Sequence, residues 1–207
     1  METDFWISRW QEGRIGFHEG RPNELLVQHA DRLAGRKRVL VPLCGKSEDL
    51  AFLASRGHEV VGVELVEDAV KAFFAEHDLT PAVEPQGALT AYRAEGLTIL
   101  AGDFFAVTPA DVGVVDAFYD RAALVALPEP MRARYVAHLR SLVAPGAAGL
   151  VVTFEYAPHV RNGPPFSVPE QEMRALYDGW HIELLARGED PQRFPDTAVT
   201  GWWLTSP

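Results

Sequence analysis

The chain has 207 residues and a formal net charge of −10, because 29 acidic side chains outnumber 19 basic ones. This charge argues against nucleic acid as a partner. The chain shows neither an apolar run of about 18 residues nor a charged-then-apolar leader, so we expect no membrane span and no export signal. Cys44 is the single cysteine, which argues against a disulfide and a cysteine-rich metal site, and we expect no metal. We expect one cytoplasmic domain over residues 1–207, with a monomer as the default.

The N-terminal segment is rich in aromatic residues and is broken by glycines. A terminal helix packed on a sheet would account for most of these rings. Alternatively, residues 1–35 form a lid in which Trp10 and Phe17 close over a ligand and exclude water from a reactive centre. Arg14 and His18 would then face the pocket, although such residues more often lie on a solvated edge.

Residues 38–64 contain a strand, a tight turn, a helix and a second strand. Residues 39–43 form an apolar run typical of a strand buried on both faces, and Gly45 ends it. Ser47 is a suitable cap for the helix that follows. Residues 60–63 form the second buried strand, which ends at Glu64.

The same unit indicates which ligand it binds. Ligands of an open parallel sheet lie beyond the carboxyl ends of its strands, where Glu64 can accept both hydroxyls of a ribose. A phosphate-binding loop would need a glycine where Leu40 stands, and a dinucleotide site would need three glycines where Gly45 is alone. A nucleoside without phosphates fits better, and S-adenosylmethionine is the common one. An ordinary strand–helix–strand unit with a surface-facing Glu64 remains the alternative.

A helix over residues 67–77, an irregular insertion over 80–96 and a third strand over 97–101 follow. The GDFF sequence comes next. We expect Asp103 to accept a hydrogen bond from an adenine amino group and Phe104 to cover the ring. A plain turn with two core phenylalanines is the competing interpretation.

A fourth strand over residues 114–119 leads into Asp120 and Arg121. At this strand end Arg121 can bind a carboxylate or an anionic substrate with its planar set of donors, and Asp120 can orient it. The alternative is a helix cap and a surface ion pair.

The remaining pattern predicts a helix over 131–142, a Pro-Gly turn, a fifth strand over 149–155 and a short helix over 170–177. Two antiparallel strands, 181–186 and 198–204, complete the chain. This order predicts an α/β, Rossmann-like class I methyltransferase fold, with a seven-stranded, mostly parallel sheet, its last strand antiparallel and helices on both faces.

Several motifs, in order, resemble bacterial thiopurine S-methyltransferase. They are FW-x3-W-x5-GFH (5–18), VLVPLCGKS-x-DL (39–50), GHEVVGVEL (57–65), GDFF (102–105), YDRAAL (119–124) and GPPFSVP (163–169). The resemblance implies S-adenosylmethionine as cofactor. It also implies cofactor contacts at Trp10, Leu43, Glu64 and Arg121, with Trp6, Phe17, Asp103 and Phe104 as neighbours beside the turn glycine Gly45. The sequence departs from the family at Val66, where members often have serine, and after Gly179, which leaves the substrate-facing residues near Arg193 open.

Methyl transfer from a sulfonium needs an aligned nucleophile and dry surroundings. Aromatic thiols arrive largely as thiolates, the reactive form, so no strong base is required. We therefore predict S-methylation of thiopurines or other aromatic thiols by direct displacement. Arg121 is assigned to the cofactor carboxylate or an anionic substrate, Asp120 is a candidate proton relay, and Cys44 is a small buried residue. The alternatives are methylation of selenium or tellurium species, a nicotinamide-dependent oxidoreductase and a non-catalytic nucleoside-binding protein.

Overall fold

The computed structural model of the protein describes residues 3–13, 19–189 and 194–207. Its strands are β1 (Arg38–Pro42), β2 (Glu59–Glu64), β3 (Ala82–Gln86), β4 (Leu89–Ala94), β5 (Leu97–Ala101), β6 (Val115–Asp120), β7 (Val143–Glu155), β8 (His181–Glu189) and β9 (Ala198–Thr205). Its α-helices are α1 (Thr3–Gln11), α2 (Glu24–His29), α3 (Glu48–Ser55), α4 (Glu67–Glu76), α5 (Pro109–Val112), α6 (Glu129–Leu142) and α7 (Glu170–Leu176). Short 3-10 helices cover Ala30–Leu33, Phe104–Ala106 and Leu124–Ala126.

The described strands form one sheet in the order β3-β4-β5-β2-β1-β6-β7-β9-β8. The five strands from β5 to β7 in that order pair in parallel, and β9 lies antiparallel between β7 and β8. This arrangement confirms the predicted fold class, with the last strand inserted antiparallel. Among the described helices, none is both long and apolar enough to cross a bilayer.

The prediction of seven strands was too low, because the segment expected to be irregular contains β3 and β4. They form an antiparallel hairpin that extends the sheet beyond β5. Pro85 lies within β3, where it is tolerated because β3 is the edge strand and one side of it needs no ladder hydrogen bonds. The prolines and glycines of this segment predicted an irregular loop, whereas β4 pairs with β5 and β3 pairs with β4, so the segment is part of the sheet.

Helices cover both faces of the sheet, as predicted. Alternate residues of β1 point to opposite faces, so Leu40 packs in one buried cluster while Val39 and Val41 pack in the other. The first cluster includes residues of α5, α6 and α7, and the second includes residues of α2, α3 and α4. Burial on both faces explains why the central strands are continuous apolar runs.

The Pro-Gly turn expected before the fifth strand lies inside β7, which begins directly after α6. Gly146 has a φ of 73°, and the pairing of β6 with β7 shifts register between Val115 and Ala117. Pro145 and Gly146 therefore lie at an irregular start of β7, and no separate loop connects α6 to this strand.

Candidate active site

A cavity of about 830 Å³ is lined by the residues that directly follow β1, β2, β5 and β6. We divide its surface into three walls. The sheet wall contains residues 43, 45, 63–65, 102–105, 121, 122 and 125–127; the N-terminal wall contains residues 6, 9, 10, 19, 21, 23–25 and 28; the C-terminal wall contains residues 131, 134, 135, 152, 154, 164, 165, 186–189, 194 and 199. A cavity of this size accommodates a nucleoside-sized molecule together with a small second one.

The structure brings the predicted cofactor residues to this one cavity. Within the described part of the chain they are Trp6, Trp10, Leu43, Gly45, Glu64, Asp103, Phe104 and Arg121, and all of them line it. Phe17, Arg14 and His18 lie outside the described residues, as does Arg193. The ends of four strands and a distant N-terminal helix meet at this cavity, which is the property that a binding site for one ligand requires.

A sharp turn after β1 begins the sheet wall. Leu43 and Gly45 have φ values of 47° and 55°, which is the left-handed region that is unusual for a leucine. The Cys44 amide donates to the Val63 carbonyl at 3.0 Å, which holds the turn against the end of β2. The Ser47 hydroxyl accepts from the Asp49 amide at 3.2 Å and caps α3, as predicted.

Glu64 ends β2 with its carboxylate fixed by the backbone. One oxygen accepts from the Gly45 amide and the other from the Val66 amide, each at 2.8 Å. Burial raises the pKa of this carboxyl, while the two amide donors work against that increase. Since the contact from Val66 comes from the main chain, the change from serine to valine at this position leaves it intact. The carboxylate faces the cavity, which excludes the surface-facing alternative.

Asp103 and Phe104 form the next part of the sheet wall. The Asp103 carboxylate accepts from the Phe105 amide at 2.9 Å and caps the short helix, while the residue remains exposed. The Phe104 ring is buried and packs against Tyr135 and His138, with ring centroids 5.3 and 5.1 Å apart. Phe104 thus belongs both to the core and to the cavity surface, and its predicted contact with an adenine ring stays a prediction.

Arg121 joins the sheet wall to the N-terminal wall. Its guanidinium forms an ion pair with Glu19 and lies 3.5 Å from the Asp49 carboxylate. Asp49 also accepts from the Asn23 amide at 2.6 Å and from the Tyr119 hydroxyl at 3.1 Å. Burial raises the pKa of Asp49, and the positive charge of Arg121 opposes that change. This network fastens the segment before α2 to the ends of β6 and α3.

Asp120 lies outside the cavity wall and is fully buried. Its carboxylate accepts from the Ala123 and Leu124 amides, at 3.0 and 3.1 Å, and from the Tyr135 hydroxyl at 2.7 Å. Burial raises its pKa to about 6. These contacts brace the loop that carries Arg121, whereas a proton relay would require contact with a reacting group.

Cys44 is buried in the turn, where burial raises the pKa of its thiol well above the ordinary value. A Cβ at Gly62 would approach the Cys44 sulfur to 2.8 Å, so the two positions pack closely. The structure confirms the expectation that Cys44 is a small buried residue.

Sequence reasoning missed part of the site. Asp49 stands in the first turn of α3, where an acidic residue is ordinary, and nothing local signals a partner such as Arg121, which is distant in the sequence. Arg9 lies on α1 beside Trp6 and Trp10, and all three line the cavity, consistent with their spacing of three and four residues. That spacing is present in the sequence and is sufficient to predict Arg9 as a further residue of the cavity wall. Most of the C-terminal wall carried no sequence signal.

Comparison with known proteins assigns the family. The thiopurine S-methyltransferase family profile matches residues 1–198. The chain belongs to the thiopurine S-methyltransferase family. Family membership confirms the resemblance and the S-methyltransferase class, and favours it over the oxidoreductase and binding-protein alternatives. The match also extends beyond Gly179, where the motifs alone had ended.

Curated relatives agree over most of the chain. A thiopurine S-methyltransferase of Pseudomonas aeruginosa (strain UCBPP-PA14) is 50% identical over 193 residues, covering 91% of this chain and 88% of the relative. One from Pseudomonas syringae pv. tomato is 48% identical over 204 residues, covering 97% and 93%.

Solved structures share the fold at low sequence identity. The 1,6-didemethyltoxoflavin-N1-methyltransferase of Burkholderia thailandensis, solved with S-adenosylhomocysteine, has a TM-score of 0.68 at 18% identity, covering 99% of this chain and 86% of its own. TehB from Haemophilus influenzae has a TM-score of 0.65 at 14% identity, covering 89% and 62%.

Proposed function

We propose that the protein transfers a methyl group from S-adenosylmethionine to the sulfur of a thiopurine or another aromatic thiol. The observation that carries the proposal is the buried Glu64 carboxylate, which two backbone amides hold in the wall of a large cavity at the end of β2. The family match over residues 1–198 supports the same reaction.

The residues of the sheet wall fit the cofactor. Glu64 would accept the ribose hydroxyls, since each carboxylate oxygen can accept a further hydrogen bond beside its backbone amide. Asp103 would accept from the adenine amino group, and Phe104 would cover the ring. Gly45 presents backbone without a side chain at the tight turn beside Glu64. Arg121 would bind the carboxylate of the amino-acid part through charge-assisted hydrogen bonds.

The N-terminal wall supplies the second half of the enclosure. Trp6 and Trp10 lie on the cavity side of α1, where they would exclude water from the reacting sulfur atoms. We propose that residues 1–35, which include Phe17, act together as the lid over the ligand.

When bound, S-adenosylmethionine supplies a methyl group that is already activated by its sulfonium charge. The protein then has to bind the acceptor as a thiolate, align the acceptor sulfur with the bond between the methyl carbon and the donor sulfur, and exclude water. No general base is needed for an acceptor that is ionised before it reacts. We assign Asp120 to positioning the loop of Arg121 rather than to proton relay, because its carboxylate is already bonded to Tyr135 and two backbone amides.

We propose a monomer as the working unit and the cytoplasm as its location. Sedimentation velocity would test the monomer, since a dimer at micromolar concentration contradicts it.

A methyl-transfer assay tests the function. Purified protein is incubated with S-adenosylmethionine carrying a radiolabelled methyl group and, in turn, a thiopurine, thiophenol, selenite or tellurite. We expect labelled thioether from the two sulfur acceptors. Product from the selenium or tellurium species alone would replace the acceptor assignment, and no product from any acceptor would refute transferase activity.

A further inference from the structure

The arginines of the cavity differ in how their charges are compensated. Arg21 pairs with Glu24 at 3.0 Å, Arg121 with Glu19, and Arg187 with Glu155 at 2.9 Å. Arg134 is exposed, with its guanidinium carbon 4.0 Å from the Phe105 ring centroid.

Arg9 is neither paired with a described carboxylate, as three of these arginines are, nor exposed to solvent as Arg134 is. Its Nε is buried without a hydrogen-bond partner among the described residues, and no described carboxylate forms an ion pair with it. Its guanidinium carbon lies 4.9 Å from the Phe5 ring centroid, which is a weak substitute for an anion. A partly buried charge without a counter-ion is costly, so a position that retains one suggests an anionic ligand.

We propose that Arg9 binds the acceptor as its thiolate and lowers the pKa of the bound thiol. The inference rests on the proposed function and adds a specificity residue to it. Arg9 lies between Trp6 and Trp10 on the cavity side of α1, so its charge is held within the wall that would exclude water. A cation in this wall repels the sulfonium of the cofactor, but it attracts the thiolate that must approach that sulfonium.

Charge balance is consistent with this role. The acceptor releases its proton to water before transfer. A bond then forms between the acceptor sulfur and the methyl carbon as the donor sulfur–carbon bond breaks, and that electron pair stays on the donor sulfur. The thiolate and the sulfonium both become neutral thioethers. The product therefore carries no negative charge for Arg9 to bind, and Arg9 does not retain the product.

The other charged groups on the cavity surface must be considered in any pH experiment. The carboxylates are Glu19, Glu24, Glu64, Asp103 and Glu189, and the remaining arginines are Arg21, Arg121, Arg134 and Arg187. Burial raises the pKa of Glu64. Carboxylates repel a thiolate and raise the pKa of a bound thiol, whereas any of these arginines lowers it, so a decrease is assigned to Arg9 only by comparing wild type with Arg9 variants.

A spectroscopic titration tests the proposal without turnover. S-adenosylhomocysteine fills the cofactor site, and a thiopurine whose absorption band shifts on ionisation, such as 6-mercaptopurine, is titrated with pH in the complex. In the wild-type protein we expect the bound thiol to ionise about one pH unit below the free compound, a tenfold change in its ionisation constant. An unchanged or increased pKa on binding would overturn the proposal even if no variant folds.

Variants assign the effect to Arg9. We expect Arg9→Gln to raise the pKa of the bound thiol by about one pH unit and Arg9→Lys to retain most of the decrease. Arg174→Gln is the matched control, because it removes an arginine that contacts Glu170 and the Trp202 ring away from the cavity. Thermal unfolding establishes that each variant is folded, and Arg9→Met, which keeps the apolar stem, replaces Arg9→Gln if that variant is not.

Cofactor binding separates the proposal from its rivals. We expect calorimetry with S-adenosylhomocysteine, and with 5′-methylthioadenosine, which lacks the carboxylate, to give unchanged affinities in Arg9→Gln. A loss for S-adenosylhomocysteine alone would mean that Arg9 binds the cofactor carboxylate, and an Arg9→Gln variant with lower activity but an unchanged thiol pKa would mean a packing role. Either result overturns the proposal. Failure of the wild-type protein to bind S-adenosylhomocysteine would instead refute the proposed function.

Discussion

The sheet wall and the N-terminal wall of the cavity are held together by different forces. The sheet wall follows hydrogen-bonded parallel strands, and the backbone itself fixes its central carboxylate, Glu64. In the N-terminal wall, the described side chains of α1 are half-buried and belong to neither buried core cluster. Its contacts with the rest of the fold include Arg121 with Glu19 and Asp49, at the start of α3, with the Asn23 amide. The fold therefore preforms the sheet wall, whereas the N-terminal wall is attached through the packing of Leu25 on the core and through these polar contacts.

This difference predicts that changes in the sheet wall reduce cofactor affinity, whereas changes in the N-terminal contacts alter local opening. The largest effect is expected for Glu64→Ala. Loss of a carboxylate that accepts two ribose hydroxyls should weaken S-adenosylhomocysteine binding by roughly 100- to 10,000-fold, since two hydrogen bonds to a charged group at roughly 1.5–3 kcal/mol each amount to about 3–6 kcal/mol.

Isothermal titration calorimetry measures that affinity. Glu84→Ala is the control, because Glu84 is an exposed acid on the edge strand β3. Affinity within threefold of the wild type in Glu64→Ala would show that the ribose lies elsewhere.

Phe104→Ala tests whether the sheet wall is part of the core. Removal of a ring that is 4% exposed and packed on Tyr135 should reduce the free energy of unfolding by about 3–5 kcal/mol. Urea denaturation followed by circular dichroism gives the value. A loss below about 1 kcal/mol would be typical of a surface ring and would contradict the packing.

The buried Asp120 should make stability depend on pH. Its pKa is about 6 in the folded protein and about 3.9 in an unfolded chain, so the native state retains a proton that the unfolded chain releases. Its contribution is fully present below about pH 4 and is lost as the pH rises through 6, by about 3 kcal/mol in total.

The Asp120 effect is measured as the difference between the unfolding free energies of wild type and Asp120→Asn from pH 4 to 7. Tyr135→Phe should move the transition to higher pH, because the Tyr135 hydroxyl donates to the ionised carboxylate. A difference that does not vary with pH would contradict the assignment.

Asp49→Asn tests the attachment of the N-terminal wall. It removes the buried charge that faces Arg121 and accepts from the Asn23 amide, and we expect local opening to become easier by about 2 kcal/mol. Hydrogen exchange at residues 19–25 should accelerate while exchange in β1 and β2 is unchanged. Equal acceleration in the central strands would mean that the two walls unfold as one unit.

The smallest effect is expected for Cys44→Ala. Loss of one buried sulfur should cost about 1 kcal/mol of stability and leave methyl transfer unchanged, because direct transfer uses no enzyme nucleophile. In the wild-type protein the thiol should react with a thiol reagent only after unfolding. An inactive but folded variant would give Cys44 a chemical role.

Much of the site on the sheet wall could be predicted because its signals are local. Apolar runs that end at Gly45 and Glu64 define buried strands, and parallel strands carry their carboxyl ends to one edge. The N-terminal aromatic spacing predicted Trp6 and Trp10 through the family motif. By contrast, Asp49 looks like an ordinary helix-start acid until β6 brings Arg121 beside it, and the hairpin β3–β4 was missed because it depends on pairing with β5.

By itself the sequence determined the order of the strands and helices outside the β3–β4 hairpin, the position of Glu64 at a strand end and the family of the protein, because these depend on short-range pattern and on motifs. Only the tertiary structure decided that Glu64 is held by the Gly45 and Val66 amides, that Asp120 lies behind the cavity surface, and that Arg9 remains without a counter-ion among the described residues. Burial and pairing depend on residues far apart in the chain, and they determine which charges are available to a ligand.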